Sequence, residues 1–425
     1  LAEVFDDVAC TVCGCVCDDL RITVGGGRIT KAEGACSLAE PWLLGQDSRQ
    51  PPPAEIDGRP ASVAAAASRA VEILRQSRSP LVYGLSRSST DGQRAACRLA
   101  DQIGATIDTT ASLCHAPSII ALQEVGESTC SLGEIKNRSD LVIFWGSNPV
   151  VSHPRHLERY SADPAGMFVP GGRADRTLVV VDVEPTASSA VADHFVQVEP
   201  GRDFEALWTL RALVRGIEPE AGAVHGAPLD PLRALAERMK SCRSGVVFFG
   251  LGLSQSRLGH LNVEALLRLV TELNSFTRFY ARRMRVQGDV AGADSVLCWQ
   301  TGYPFSINLS RGYPRYSPGE YSANELLQRR EVDACLLVGS ESTQSLSAAA
   351  QDHLRQIPIV ALDYPTVESS PRPAVRFTTA VYGIHRVGTA YRMDEIPIPL
   401  RQVLSSGYAS DGEILRQITA ALADR

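Results

Sequence analysis

With 425 residues, 44% of them apolar, and a formal net charge of -6, the chain is long enough for two or three domains and able to bury a large core. Its densest basic cluster is the short Arg282-Arg283-Met284-Arg285, which excludes nucleic acid as the main partner, and no run of about 18 apolar residues offers a membrane span. Eleven cysteines with nothing at the start that reads as a secretory signal point to a reducing compartment, so a cytoplasmic location is expected.

The first chemistry-bearing stretch is Cys10-Thr11-Val12-Cys13-Gly14-Cys15-Val16-Cys17. Cys10, Cys13 and Cys17 follow C-x2-C-x3-C, and Cys36 supplies a distant fourth thiolate, the pattern that holds a 4Fe-4S cube. A structural zinc on four cysteines is the rival, although zinc sites usually take two C-x2-C knuckles and only one is present. Reduced structural thiols are the third reading. Cys15 is set aside as a spare that faces away. Residues 21–35 read as a hairpin around the glycine run 25–27, and Pro51-Pro52-Pro53 as a linker, which places a boundary near residue 55.

From there strand and helix alternate, which argues for parallel sheets. A helix is expected at 62–76, a buried strand at 80–84, a helix at 91–103 and a strand at 105–108. Further strands are expected at 141–145, 178–182, 245–250, 334–339 and 357–363, with a helix at 263–273. Residues 298–321, rich in Gly, Pro, Tyr and Arg, read as irregular. Gly146, Asn148 and Pro149 follow one strand and Asp182 ends the next. The carboxyl ends of strands are where doubly wound sheets bind nucleotides.

Taken together, the cysteine loop, 111–118 with Cys114-His115, Trp145-Gly146-Ser147-Asn148-Pro149, 152–156 with His153, 313–320 and 388–394 resemble the B subunit of formylmethanofuran dehydrogenase. That family lies within the molybdopterin oxidoreductase superfamily, and the likeness runs end to end. It implies an α/β fold with a small N-terminal cysteine domain at 1–55 and two doubly wound domains. One is discontinuous (56–139 and 332–425) and the other is inserted at 140–331, matching domains I to III of formate dehydrogenase and DMSO reductase relatives. No C-terminal β-barrel is expected.

The resemblance further implies a 4Fe-4S cluster on Cys10, Cys13, Cys17 and Cys36. It implies molybdenum or tungsten on Cys114, carried by two pterin guanine dinucleotides, with His115 and Arg285 beside the metal. Gly146, Asn148, Pro149, His153, Asp182, Gly201 and Asp203 are the expected dinucleotide contacts. Partners implied are the amidohydrolase-type A subunit, the C subunit, and formyltransferase-type and β-barrel subunits of one complex.

Departures fall where the dinucleotides would lie. The family's Asp-Pro-Arg is here Asp182-Val183-Glu184, its Arg-Gly-His is Arg285-Val286-Gln287 followed by Asp289, its Asp-Pro-Gly-Ala-His loop is 341–345 beginning with Glu341, and its basic residue after the fourth cysteine is Ser37. Added acids disfavour an anionic ligand by roughly 1.5 to 3 kcal/mol for each charged hydrogen bond lost. The pattern resembles the B subunit of the bacterial formyltransferase/hydrolase complex, which implies a scaffold without redox catalysis. The alternative is an active bis-pterin subunit interconverting carbon dioxide and formate.

Overall fold

The computed structural model describes residues 2–220, 222–256 and 258–423. The chain is a mixed α/β protein in two compact units, Leu1–Leu113 with Gln287–Arg425, and Cys114–Val286. Among the described residues no helix is long and apolar enough to cross a membrane.

The first unit is built on a nine-stranded sheet whose centre runs Thr106–Thr109, Pro80–Gly84, Ala334–Val338, Ile359–Asp363, Val375–Thr378, all parallel. Parallel neighbours require crossovers that cover both faces, so these strands carry few polar side chains. Alternate residues serve opposite cores. Val82, Leu336, Val338, Val360 and Leu362 meet the helices Val63–Gln76, Thr90–Ile103 and Asp411–Ala423, while Leu81, Tyr83, Cys335, Leu337 and Ala361 meet Ala323–Gln328 and Ala348–Leu354. The first two helices start where serines stand to cap them: Ser62 Oγ accepts from the Ala65 N–H at 3.1 Å, and Ser89 caps the second. Gly104, at φ 63°, closes that second helix.

A separate antiparallel sheet, Glu3–Val8, Leu20–Gly25 and Arg28–Glu33, contains the expected hairpin. Its tight turn uses Gly26 and Gly27 at φ 60° and 77°.

Two expectations differ from what is found. Residues 298–321 are not wholly irregular, because the helix Val290–Thr301 runs into them and Ile307–Asn308 and Arg315–Tyr316 extend the large sheet antiparallel to Thr106–Thr109. For the same reason the inserted unit is Cys114–Val286, not 140–331. The segment after Val286 is bound to the first sheet by Asp108, whose carboxylate accepts from the N–H groups of Ser306 (2.9 Å), Ala323 (2.7 Å) and Thr109 (3.0 Å). A carboxylate at the end of one strand thus holds two segments about 200 residues away, which no local pattern encodes.

The second unit is a five-stranded parallel sheet in the order His194–Gln197, Thr177–Asp182, Leu141–Trp145, Ser244–Phe249, Arg278–Arg283. Ile143, Trp145, Val179, Val181, Val247 and Phe249 pack on helices that include Asp203–Val214, Leu229–Ser241 and Gly259–Leu273. On the opposite face Phe144 stacks on Phe248 (5.1 Å between centroids), and the edge of His156 meets Phe248 at 4.6 Å.

Replacing Asp108 by Ala leaves three backbone donors without their acceptor and is expected to destabilise the chain by about 3 to 5 kcal/mol. Asp108→Asn, which keeps one acceptor oxygen, should lose less than half of that, as read from denaturant midpoints of the two variants.

Candidate functional site

The cysteine loop folds back on itself through Cys10 N–H to Cys17 O (2.8 Å) and Val16 N–H to Cys13 O (3.1 Å), with Val16 at φ 37°. Cys10, Cys15 and Cys17 are buried, and Cys13 and Cys36 half-buried. All eleven cysteines lie among the described residues and none is in a disulfide. Burial pushes the Cys10 thiol far above its ordinary range, and the negative charges that Cys13, Cys17 and Cys36 would carry push the same way, so the four expected ligands share one neighbourhood. Cys15 does not face away. It is 1% exposed and its thiol hydrogen-bonds with those of Cys13 and Cys17, because the αL turn at Val16 folds the loop over it. Soft thiolate donors suit an iron-sulfur cluster or zinc. Among the described residues no three His, Cys, Asp or Glu side chains are arranged to hold a metal ion, so the donor set matches such a group in chemistry and neighbourhood without being closed around one point.

Cys114 ends the short helix Ala111–Cys114, half-buried, and its carbonyl accepts from Ser254 Oγ at 3.1 Å. His115 is 1% exposed. Burial, then the charges of Arg285 and Arg283, hold its imidazole well below the usual histidine range, so it is neutral. Its Nε2–H donates to the Met284 carbonyl at 3.2 Å, across 169 residues of chain. His115 is thus brought to the Met284–Arg285 segment inside the second unit, with Cys114 next to it in the chain.

The carboxyl end of the second sheet carries the remaining expected residues. Strand order reverses between Leu141–Trp145 and Ser244–Phe249, and the loops after these two strands are laced by Gly250 N–H to Trp145 O and Gly252 N–H to Gly146 O, both 3.0 Å. Gly146 stands at φ 56°, and a Cβ there would lie 2.7 Å from the Leu253 nitrogen. Asn148 Oδ1 accepts from Ser188 Oγ (2.7 Å) and Ser188 N–H (3.2 Å), joining two loops, and Pro149 opens a short helix. His153 donates from Nε2 to the Arg285 carbonyl at 2.7 Å and shares Nδ1 with Ser152 Oγ at 2.8 Å. Asp203 accepts from the Trp145 indole N–H at 2.8 Å. Burial, with Glu184 beside it, raises the Asp182 carboxyl above the ordinary range. Gly201 has nothing within 4 Å of where a Cβ would stand and lines an open cleft of about 580 Å³ with Phe204, Ser256, Leu258 and Asn262.

Sequence reasoning missed Gly250, Gly252 and Ser188. The Gly-Leu-Gly after the apolar run ending at Phe249 is the signal that marks the second loop of the switch point.

The added acids divide into three kinds. Asp289 caps the helix Val290–Thr301, accepting from Gly292 N–H (3.1 Å), Gln93 Nε2 (3.1 Å) and Tyr391 N–H (2.6 Å), so its carboxylate is used up inside the first unit. Glu184 is exposed. Glu341 stands 3.7 Å from Arg87 Nε at the carboxyl end of the first sheet, in a cleft of about 10 Å³ lined also by Gly339, Tyr364 and Asp411.

These two sheets, with loops gathered at their switch points, define a doubly wound class of α/β architecture. No family model matches the chain. It is similar in fold to a chain of the formyltransferase/hydrolase complex from Methylorubrum extorquens solved with methylofuran (TM-score 0.72, 23% identity, 87% of this chain and 98% of that one). The B subunit of that organism's complex is 25% identical over 67% of this chain and 74% of its own. The B subunit of the tungsten-containing formylmethanofuran dehydrogenase 2 of Methanocaldococcus jannaschii is 38% identical over 98% of both chains. The chain belongs to the family of formylmethanofuran dehydrogenase B subunits.

Two outcomes follow. A methyl group at Gly252 would sit 2.8 Å from the Gly146 Cα, so Gly252→Ala should cost about 1 to 3 kcal/mol, read as a lower denaturant midpoint with unchanged slope. Burial depresses the folded-state pKa values of His153 and His156 below the ordinary 6.5. The folded chain then binds fewer protons than the unfolded one, so stability is fully present above pH 6.5 and is lost as pH falls below it, by up to about 1.4 kcal/mol per pH unit for each. Melting curves between pH 8 and 5 on wild type and His156→Phe measure it: the variant should show a shallower acid slope.

Proposed function

We propose that this chain is the B subunit of a formylmethanofuran dehydrogenase-type complex in tetrahydromethanopterin- and methanofuran-linked one-carbon metabolism, at the stage where a formyl group becomes formate, and that it acts there as a scaffold without redox catalysis. Full-length identity of 38% to such a subunit supports the family role. The scaffold role is supported at the switch point of the first unit, where Arg87 already has the Glu341 side chain 3.7 Å away in a cleft of about 10 Å³, room for one water; the cleft of about 540 Å³ lined by Arg49, Arg372 and Arg376 in the same unit is where an anionic ligand would have space. In this reading the small cysteine domain, the discontinuous domain and the inserted domain provide docking surface for amidohydrolase-type A, C, formyltransferase-type and β-barrel subunits in the cytoplasm.

A second reading, an active molybdenum or tungsten bis-pterin subunit, is supported by the tungsten-containing name of the 38% identical relative and by the gathered thiols. Such a centre would supply two-electron chemistry on carbon dioxide or formate. Cys10, Cys13, Cys17 and Cys36 would hold a cluster and Cys114 the metal, and Arg285 would place positive charge beside a bound carboxylate.

Counting iron, molybdenum, tungsten and pterin per chain in the native complex, with Cys114→Ser alongside, separates the two. The scaffold reading expects no stoichiometric pterin, and formate release by the intact complex within about twofold of wild type in Cys114→Ser. One or two pterins per chain, or a loss of more than about tenfold, establishes the second reading instead.

A further inference from the structure

The chain passes between its two units at Leu113/Cys114 and again at Val286/Gln287. One residue inside the first passage stands His115, and the two residues before Val286 are Met284 and Arg285. The carbonyls of those two consecutive residues each receive an imidazole N–H: His115 Nε2 donates to Met284 O at 3.2 Å and His153 Nε2 to Arg285 O at 2.7 Å. Both rings are 1% exposed. The other nitrogen of each faces a serine hydroxyl, Ser118 Oγ at 3.5 Å and Ser152 Oγ at 2.8 Å. The Arg285 side chain is buried at 3% exposure.

We infer that His115 and His153 are a paired backbone clamp, positioning residues that fix the peptide carrying Arg285. Two consecutive buried carbonyls beyond the end of the Arg278–Arg283 strand need two separate donors. That explains why one histidine follows Cys114 and the other lies in the loop after the Leu141–Trp145 strand. In each ring the Nε2–H is committed to a buried carbonyl. With the peptide held, the Arg285 guanidinium keeps one direction, as a receptor for a carboxylate-like anion requires. The clamp involves neither metal nor pterin and stands under either reading of the function.

The test is amide hydrogen exchange across residues 284–288 in the full-length chain. His153→Leu, which fills the space without a donor, should speed exchange there at least tenfold, while His153→Gln, whose amide N–H can reach the same carbonyl, should stay within about threefold of wild type. Equal exchange in all three proteins, or Gln as fast as Leu, overturns the clamp. A measurement needing no variant uses histidine labelled with nitrogen-15: both rings should be the Nε2-protonated tautomer at pH 7.5, and an Nδ1-protonated form of either one refutes the assignment.

Discussion

Two parallel strands can be neighbours only if the chain travels back over the sheet between them, and that constraint organises the whole molecule. In each unit it buries the central strands on both faces and leaves their carboxyl ends as the place where loops collect. The order of the parallel strands in both sheets reverses between Pro80–Gly84 and Ala334–Val338 in the first unit and between Leu141–Trp145 and Ser244–Phe249 in the second. At a reversal the two flanking crossovers depart in opposite directions, so a crevice opens without any residue being chosen for it.

What fills those crevices differs. In the second unit, glycines without side chains let two loops approach within hydrogen-bonding distance, and an open cleft remains beside Gly201. The switch point of the first unit is polar, with Arg87, Glu341 and Asp411 around a space of one water, and its open cleft lies instead beside Arg372 and Arg376. A guanidinium in such a place attracts an anion. When the anion is a side chain on the next loop, the attraction is spent on holding the protein together and the partly shielded charge is balanced at once. The same economy governs Asp289: beside a ligand it would repel phosphate, yet it is bound by three donors and serves as a helix cap.

Much of this was legible in the residues. Apolar runs marked the parallel strands, the segments 62–76 and 91–103 were readable as helices, and Gly25-Gly26-Gly27 marked the hairpin. These signals are local or are short strings preserved as strings, so they survive being read one residue after another.

Three features were decided by tertiary structure alone. The passage out of the second unit lies at Val286 because Asp108 collects N–H groups from Ser306 and Ala323, and a hydrogen bond spanning about 200 residues leaves no trace in any window of sequence. Cys15 belongs among its neighbours because the backbone at Val16 turns left-handed, a torsion that residue type does not announce in a β-branched side chain. His115 and His153 look alike in sequence to any reactive histidine. Only the positions of the Met284 and Arg285 carbonyls determine that their N–H groups are occupied, since a donor's role is set by the acceptor the fold brings to it.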